Sequence, residues 1–143
     1  MKFLADVADP VTVLGQQVSL MWIVIGAALV VFMQAGFALV ETGFTQAKNA
    51  AHVVSTNFAI FGLGFIGFYL VGFSFSFGGF SYSAFGMDAP VGSALIGSGD
   101  WIFFWKGGWA LTGDAITPAA IGFFLYMVAF MDTVATIPTG SMA

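Results

Sequence analysis

The sequence predicts an all-α integral membrane protein with three transmembrane helices. Three long apolar runs, separated by more polar segments, are the first observation behind this prediction. The second is composition, because 59% of the 143 residues are hydrophobic and 7% are charged, whereas a soluble domain carries about 25% charged residues. So few charges cannot cover a globule with a solvated surface, and we therefore expect lipid to surround the chain.

The same composition excludes several classes of function. The formal net charge is −4 and the only basic residues are three lysines, so nothing neutralises phosphates and we expect no nucleic-acid partner. The absence of cysteine excludes disulfides, thiolate metal sites and a cysteine nucleophile. Since the sequence shows no nucleophile–base pair, metal cluster or phosphate loop, we expect no enzyme, no metal and no other cofactor.

The first predicted helix runs from about residue 18 to 46. Its uncharged part, Val18–Val40, measures about 34 Å as a helix, which is enough to cross the hydrocarbon core of a bilayer. Trp22 lies near its start, at the depth where an amphipathic ring anchors a helix in the interface. Glu41 follows the apolar run, either as a carboxylate that reaches water at the membrane edge or as a buried group bonded to another helix. In both cases we expect its role to be structural.

The second predicted helix covers about residues 53–77. Ser55, Thr56 and Asn57 lie near its start and can bond to the backbone or to a facing helix. Residues 62–67 match the G-x-G-x-x-G pattern, but the dinucleotide interpretation needs a preceding strand and a helix that begins at the glycines. Because these glycines lie inside a long apolar run, we reject that interpretation and expect a packing face for a neighbouring helix.

A long and more polar connection, residues 78–117, follows the second helix. Its aromatic stretch, Trp101–Leu111, is too short to span a membrane. Tryptophan is enriched at membrane interfaces, so we expect this segment to lie at the membrane surface. An aromatic platform for a carbohydrate or a cation is the alternative.

The third predicted helix covers about residues 118–143. Thr117 can cap it and Pro118 suits its first turn, where a missing N–H costs nothing. Asp132 lies about 21 Å from the helix start, on the deeper side of the hydrocarbon. A carboxylate there needs a partner or water, and we expect a structural contact to the polar group of the second helix or to a backbone amide. Pro138 predicts a loosened helix end.

These segments also resemble a known family. The ammonium transporter family carries a tryptophan near the start of its first helix, then FM-x-x-G-x-A-L and a G-x-x-x-x-KN ending. The matching residues here are Trp22, Phe32–Met33, Gly36, Ala38–Leu39, Gly43 and Lys48–Asn49. Gly72–Gly78 and Thr139–Ala143 resemble the ends of the family's second and third helices. Gln34–Phe37 with Glu41 resembles a subgroup whose transporter domains are fused to signalling modules.

The resemblance implies an architecture larger than this chain. The family fold has eleven helices built as two inverted five-helix repeats, with a pore through each subunit of a homotrimer. This chain would supply the first three helices, without the paired pore histidines, which lie on later helices. We therefore expect an N-terminal fragment of an ammonium or ammonia channel or transporter, in which Tyr126 occupies the position of the outer-gate aromatic residue.

Two other functions stay open at this stage. An ammonium-sensing membrane domain of a signalling protein is the first, and a structural membrane module without transport is the second. By resemblance we expect a multi-pass protein of the plasma (cell inner) membrane with its N-terminus outside. Its expected partners are ammonium or ammonia, the lipid bilayer, and either a PII-type regulator or a fused signalling domain.

Overall fold

A computed structural model describes residues 10–98, 101–113 and 116–142. Within these residues, three helices are long and apolar enough to cross a membrane: Pro10–Phe44, Ala47–Phe77 and Pro118–Thr139. They contain 35, 31 and 22 residues. The prediction of a mostly helical fold with three membrane-spanning helices is confirmed.

Helix α1, Pro10–Phe44, begins well before the predicted start near residue 18. Pro10 suits the first turn because its fixed φ favours a helix and its missing N–H would be unpaired there. The polar residues near its start are compatible with the helix, since Gln16 Nε2 donates a hydrogen bond of 3.0 Å to the Ser83 carbonyl in the connection. Ala27 is the one buried residue of this helix, all of which the structure describes.

The second spanning segment is not uniform. A 3₁₀ turn, Ala47–Asn49, leads into helix α2, Ala50–Gly67, which continues through a π-helical turn, Phe68–Gly72, into helix α3, Phe73–Phe77. A π turn makes room for a side chain, and here the Phe68 ring lies 2.8 Å from where a Cβ on Gly72 would be. The glycines of the G-x-G-x-x-G pattern lie within α2, and no strand precedes them among the described residues. Gly64 packs against Met131 of the third spanning helix, whereas a Cβ on Gly62 or Gly67 would meet no neighbour.

The connection contains a β-hairpin that we did not predict. Strands β1, Ser93–Ser98, and β2, Trp101–Lys106, pair antiparallel with irregular register in β1. Trp101–Lys106, expected only as an interfacial segment, is a strand because its aromatic and β-branched residues favour extended backbone. Trp105 packs directly on Gly78 and Gly79, where any side chain would clash with the indole.

Helix α4, Pro118–Thr136, is the most buried of the three spanning helices. Thr117 Oγ1 caps it by accepting a hydrogen bond of 3.2 Å from the Ala120 N–H. The chain continues as a 3₁₀ helix, Ile137–Met142. Pro138 lies in this segment, and its missing N–H explains why the α-helical pattern does not continue.

Phenylalanine rings fill the space where the helices meet the connection. The seven residues of this aromatic core are Phe68, Phe73, Phe77, Phe80, Phe85, Phe123 and Phe124. Phe73 is fully buried and meets Phe124 edge to face with ring centroids 5.4 Å apart. Phe123 stacks on Phe80 with centroids 4.6 Å apart. Such pairs add about 0.5–1.5 kcal/mol each beyond the burial of their area.

Candidate functional site: an aromatic groove and a polar network

An open groove of about 470 Å³ lies between α1, α4 and the connection. We call it the aromatic groove, and its lining residues are Ser19, Trp22, Ile23, Tyr82, Ala84, Phe85, Phe123 and Tyr126. Three of these residues come from the connection, so the groove opens at the end of the helices where the hairpin lies. It carries no charged side chain, and aromatic ring faces dominate its wall.

Tyr126 reaches this groove from α4. Its ring lies over Gly26 of α1, where a Cβ would be 3.1 Å from Tyr126 Cε2. The missing side chain at Gly26 therefore lets the ring lie close to the backbone of α1. Eight residues separate Tyr126 from Pro118, which places it about 12 Å along the helix. The ring is half-buried, so one part is fixed by packing and another is accessible from the groove.

Phe130 extends this aromatic surface by one helical turn. Its ring centroid lies 5.0 Å from that of Tyr126, with the two planes tilted by 56°. Phe130 was not among the predicted site residues, although the spacing of four between Tyr126 and Phe130 places them on one helix face. Ring faces attract cations through their quadrupole, by about 0.5–2 kcal/mol depending on desolvation. The pair can therefore attract a small cation without a carboxylate.

Trp22 lies in the same groove from the side of α1. Its side chain is 63% exposed, so most of the indole is free to meet lipid head groups or other protein. This exposure is compatible with the expected anchoring role, in which the ring lies at the interface. The structure thus brings Trp22 and Tyr126 to one groove.

A polar network joins the three spanning helices at their other end. Its members are Gln34, Glu41, Asn57, Thr136 and Thr139. Asn57 is the centre, since its Nδ2 donates to Glu41 Oε2 at 2.7 Å and to the Val53 carbonyl at 3.0 Å. Its Oδ1 accepts from Gln34 Nε2 at 3.2 Å. One buried side chain of α2 therefore holds two side chains of α1.

Helix α4 and the 3₁₀ helix that follows it each contribute one threonine to the network. Gln34 Nε2 donates its second proton to Thr136 Oγ1 at 3.0 Å, and Thr136 donates to the Asp132 carbonyl at 2.7 Å. Thr139 Oγ1 lies 3.3 Å from Glu41 Oε2 and 2.6 Å from the Thr136 carbonyl. Because a hydroxyl has one proton, the shorter contact takes it, and the Glu41 carboxylate is held chiefly by Asn57. Glu41 thus contacts another helix in the way that the second of its two interpretations describes.

Asp132, for which we expect a structural contact, is buried in α4. The residue is 2% exposed and its Oδ1 is buried without a hydrogen-bond donor among the described residues. Among the polar side chains of α2, Asn57 uses both of its amide protons on Glu41 and Val53, and Thr56 donates to the His52 carbonyl. Gln34 Oε1 is also buried and unpaired in the described part of the chain.

The residues that the structure describes offer no metal site. Within them, no group of three or more histidine, aspartate or glutamate side chains is close enough to hold an ion. The arrangement contains a polar network for helix contacts and an aromatic surface for a cation. Neither arrangement pairs a nucleophile with a base.

Comparison with known proteins identifies the family. The model of the Ammonium Transporter Family matches residues 21–143, which is most of the chain. The chain belongs to the ammonium transporter family. Family membership gives the aromatic groove and the polar network a common context, because the whole network and all of the groove lining except Ser19 lie within the matched residues.

Three relatives of this chain are named as ammonium transporters. The ammonium transporter Amt2 of Archaeoglobus fulgidus is 34% identical over 126 residues, covering 88% of this chain and 23% of the relative. Amt1 of Haloferax mediterranei is 35% identical over 132 residues, covering 90% and 25%. Ammonium transporter 1 member 3 of Solanum lycopersicum is 32% identical over 126 residues, covering 88% and 23%. The chain thus spans about a quarter of the length of these relatives, and no solved structure matches it at a significant level.

Proposed function

We propose that the chain is the N-terminal part of a channel or transporter that passes ammonium or ammonia across the plasma membrane. The observation that carries this proposal is the aromatic pair Tyr126–Phe130 beside an open groove, in a chain that belongs to the ammonium transporter family. The relatives are named as ammonium transporters. They are not named as enzymes, which agrees with a role in passage rather than in covalent chemistry.

Tyr126 is the outer-gate aromatic residue in this proposal. A cation that approaches from outside meets the ring faces of Tyr126 and Phe130 and gains a cation–π attraction while it loses water. The groove has no carboxylate, so the attraction is moderate and the cation can leave again. Trp22 anchors α1 beside it at the interface.

The larger assembly is also part of the proposal. An odd number of crossings places the two ends of the chain on opposite sides of the membrane, and we propose that the N-terminus and the connection face outside. Further helices complete the pathway, and a homotrimer is the working assembly. The open groove supports this, because a pathway bounded on one side needs more protein to close it.

An ammonium sensor is the second candidate. The residues that resemble the subgroup fused to signalling modules include Gln34 and Glu41, and both are members of the polar network. A network that crosslinks all three helices is suited to transmit a change at the groove to a signalling domain or a PII-type regulator on the inner side. A structural membrane module without transport is the remaining candidate.

Ammonium flux by the native protein that contains this chain tests the proposal. The protein is purified, reconstituted in liposomes, and given a gradient of ammonium chloride, with sodium chloride and protein-free liposomes as controls. We expect ammonium-dependent currents or internal pH changes well above both controls. Ammonium-dependent signalling activity without flux would favour the sensor, and absence of both responses would leave the structural module.

A further inference from the structure

Two buried hydrogen-bond acceptors in the interior of the three-helix packing have no donor among the residues that the structure describes. They are Asp132 Oδ1 on α4 and Gln34 Oε1 on α1. Asp132 lies one helical turn from Thr136 on the same face of α4, and Thr136 Oγ1 accepts a hydrogen bond of 3.0 Å from the same Gln34 amide. The two acceptors therefore belong to one neighbourhood between α1 and α4.

The donors of the polar network beside these acceptors are already committed. Gln34 Nε2 spends its two protons on Asn57 Oδ1 and Thr136 Oγ1. The Thr136 hydroxyl proton goes to the Asp132 carbonyl, and the Asn57 amide protons go to Glu41 and Val53. A hydroxyl has one proton and an amide two, so no donor of the polar network is left for Asp132.

The orientation of the Gln34 amide is fixed by its partners. If the amide were turned over, its oxygen would face Asn57 Oδ1, and two acceptors would meet at 3.2 Å. The Thr136 proton could not compensate, because it is committed at 2.7 Å. The unpaired atom of Gln34 is therefore an oxygen, and the site presents acceptors only.

The cations of the described chain do not reach this site. Lys48 lines a groove at the end of α1, and Lys106 ends strand β2 in the connection. Leaving a buried carboxylate oxygen unpaired costs more than leaving a neutral group unpaired, and the cost is higher still in lipid, where water is absent. A donor that satisfies both acceptors must also be small, because Asp132 is 2% exposed.

We propose that Asp132 and Gln34 bind a small hydrogen-bond donor, ammonium or water, between α1 and α4. Both molecules offer the two or more protons that a pair of acceptors requires. The ammonium case rests on the proposed function, whereas the water case does not. In either case Asp132 is a binding residue rather than a lipid-facing one, and Gln34 supplies the second acceptor.

The decisive experiment is a high-resolution structure of the native protein in lipid nanodiscs, in buffers with and without ammonium chloride. We expect density within hydrogen-bond distance of both Asp132 and Gln34. Density in both buffers identifies water, and density in the ammonium buffer alone identifies ammonium. A site without density, or a side chain from elsewhere in the native protein bonded to Asp132 Oδ1, would overturn the proposal.

Two variants, one at the proposed site and one at the neighbouring residue as its control, test whether the density depends on Asp132. Asp132→Asn replaces the carboxylate by an amide of the same shape and so removes the negative charge and one acceptor oxygen, and we expect the density to weaken or disappear while the protein still folds. Thr133→Val changes the neighbouring residue, whose hydroxyl bonds within its own helix at 3.3 Å, and should leave the density in place. Unchanged density in Asp132→Asn would contradict the proposal. Absence of ammonium flux in the wild-type protein would count against the proposed function, but density in both buffers would still establish a water site.

Discussion

The two ends of the helix packing differ in the kind of contact that holds the helices together. At the connection end, phenylalanine rings pack on each other edge to face or stacked. At the other end, where the 3₁₀ turn joins α1 to α2, five polar side chains join the same three helices through directed hydrogen bonds. Rings tolerate small displacements, whereas hydrogen bonds require defined angles. The aromatic core therefore supplies most of the packing energy, and the polar network fixes how the helices are rotated against each other.

The difference has a physical basis in the lipid solvent. Lipid tails are as apolar as leucine, so burying apolar surface between helices gains little by transfer, and close contact supplies the energy instead. Seven rings and the glycines beneath Trp105 supply such contact. Polar groups gain more from association because hydrocarbon offers them no partner, which explains why Asn57 is 3% exposed in the centre of its network.

The largest expected effect comes from the aromatic core. Phe73→Ala removes a fully buried ring that contacts Phe68, Phe77, Phe123 and Phe124. We expect the free energy of unfolding to fall by about 3 kcal/mol, the low end for soluble cores, because the transfer contribution is small in lipid. Thermal unfolding of the native protein in detergent measures it, with Phe32→Ala, at a 78% exposed ring, as the control. Equal losses in both variants would show that the aromatic core does not carry the packing energy.

The polar network gives a smaller expected effect. Asn57→Leu keeps the side-chain volume and removes its bonds to Glu41, Gln34 and Val53. Interhelical hydrogen bonds contribute about 0.6 kcal/mol each on average, so we expect a loss of about 1–2 kcal/mol. Thr56→Val is the matched control, because the Thr56 hydroxyl bonds only within its own helix, at 2.8 Å to the His52 carbonyl. If the free energy of unfolding fell as much in the control as in Asn57→Leu, the network would have no specific contribution to stability.

Much of this fold could be predicted from the sequence. Length and hydropathy predict the three spanning helices, and Thr117–Pro118 marks the start of α4 because cap and proline act locally. The hairpin was missed because its strands are stabilised by Trp105 packing on Gly78 and Gly79, a contact distant in sequence. The early start at Pro10 was missed for a similar reason, since Gln16 bonds to Ser83.

The candidate sites, like the fold, could be predicted from the sequence only in part. Tyr126 was named from the resemblance to the family, and Phe130 could have been added from the spacing of four residues. The polar network could be suspected from Gln34, Glu41 and Asn57 in apolar runs, but their pairing depends on how the helices are rotated. The unpaired state of Asp132 could not be predicted, because it depends on where every neighbouring proton is committed.

Ammonium uptake per molecule of folded protein tests the central claim that the aromatic end acts on the cation and the polar end holds the helices. In the native protein, we expect Tyr126→Ala to raise the KM about tenfold, which corresponds to about 1.4 kcal/mol of lost cation–π attraction. Asn57→Leu should lower the amount of folded protein and leave the uptake of each folded molecule nearly unchanged. An unchanged KM in Tyr126→Ala, together with a raised KM in Asn57→Leu, would contradict this division and move the cation pathway to the polar network.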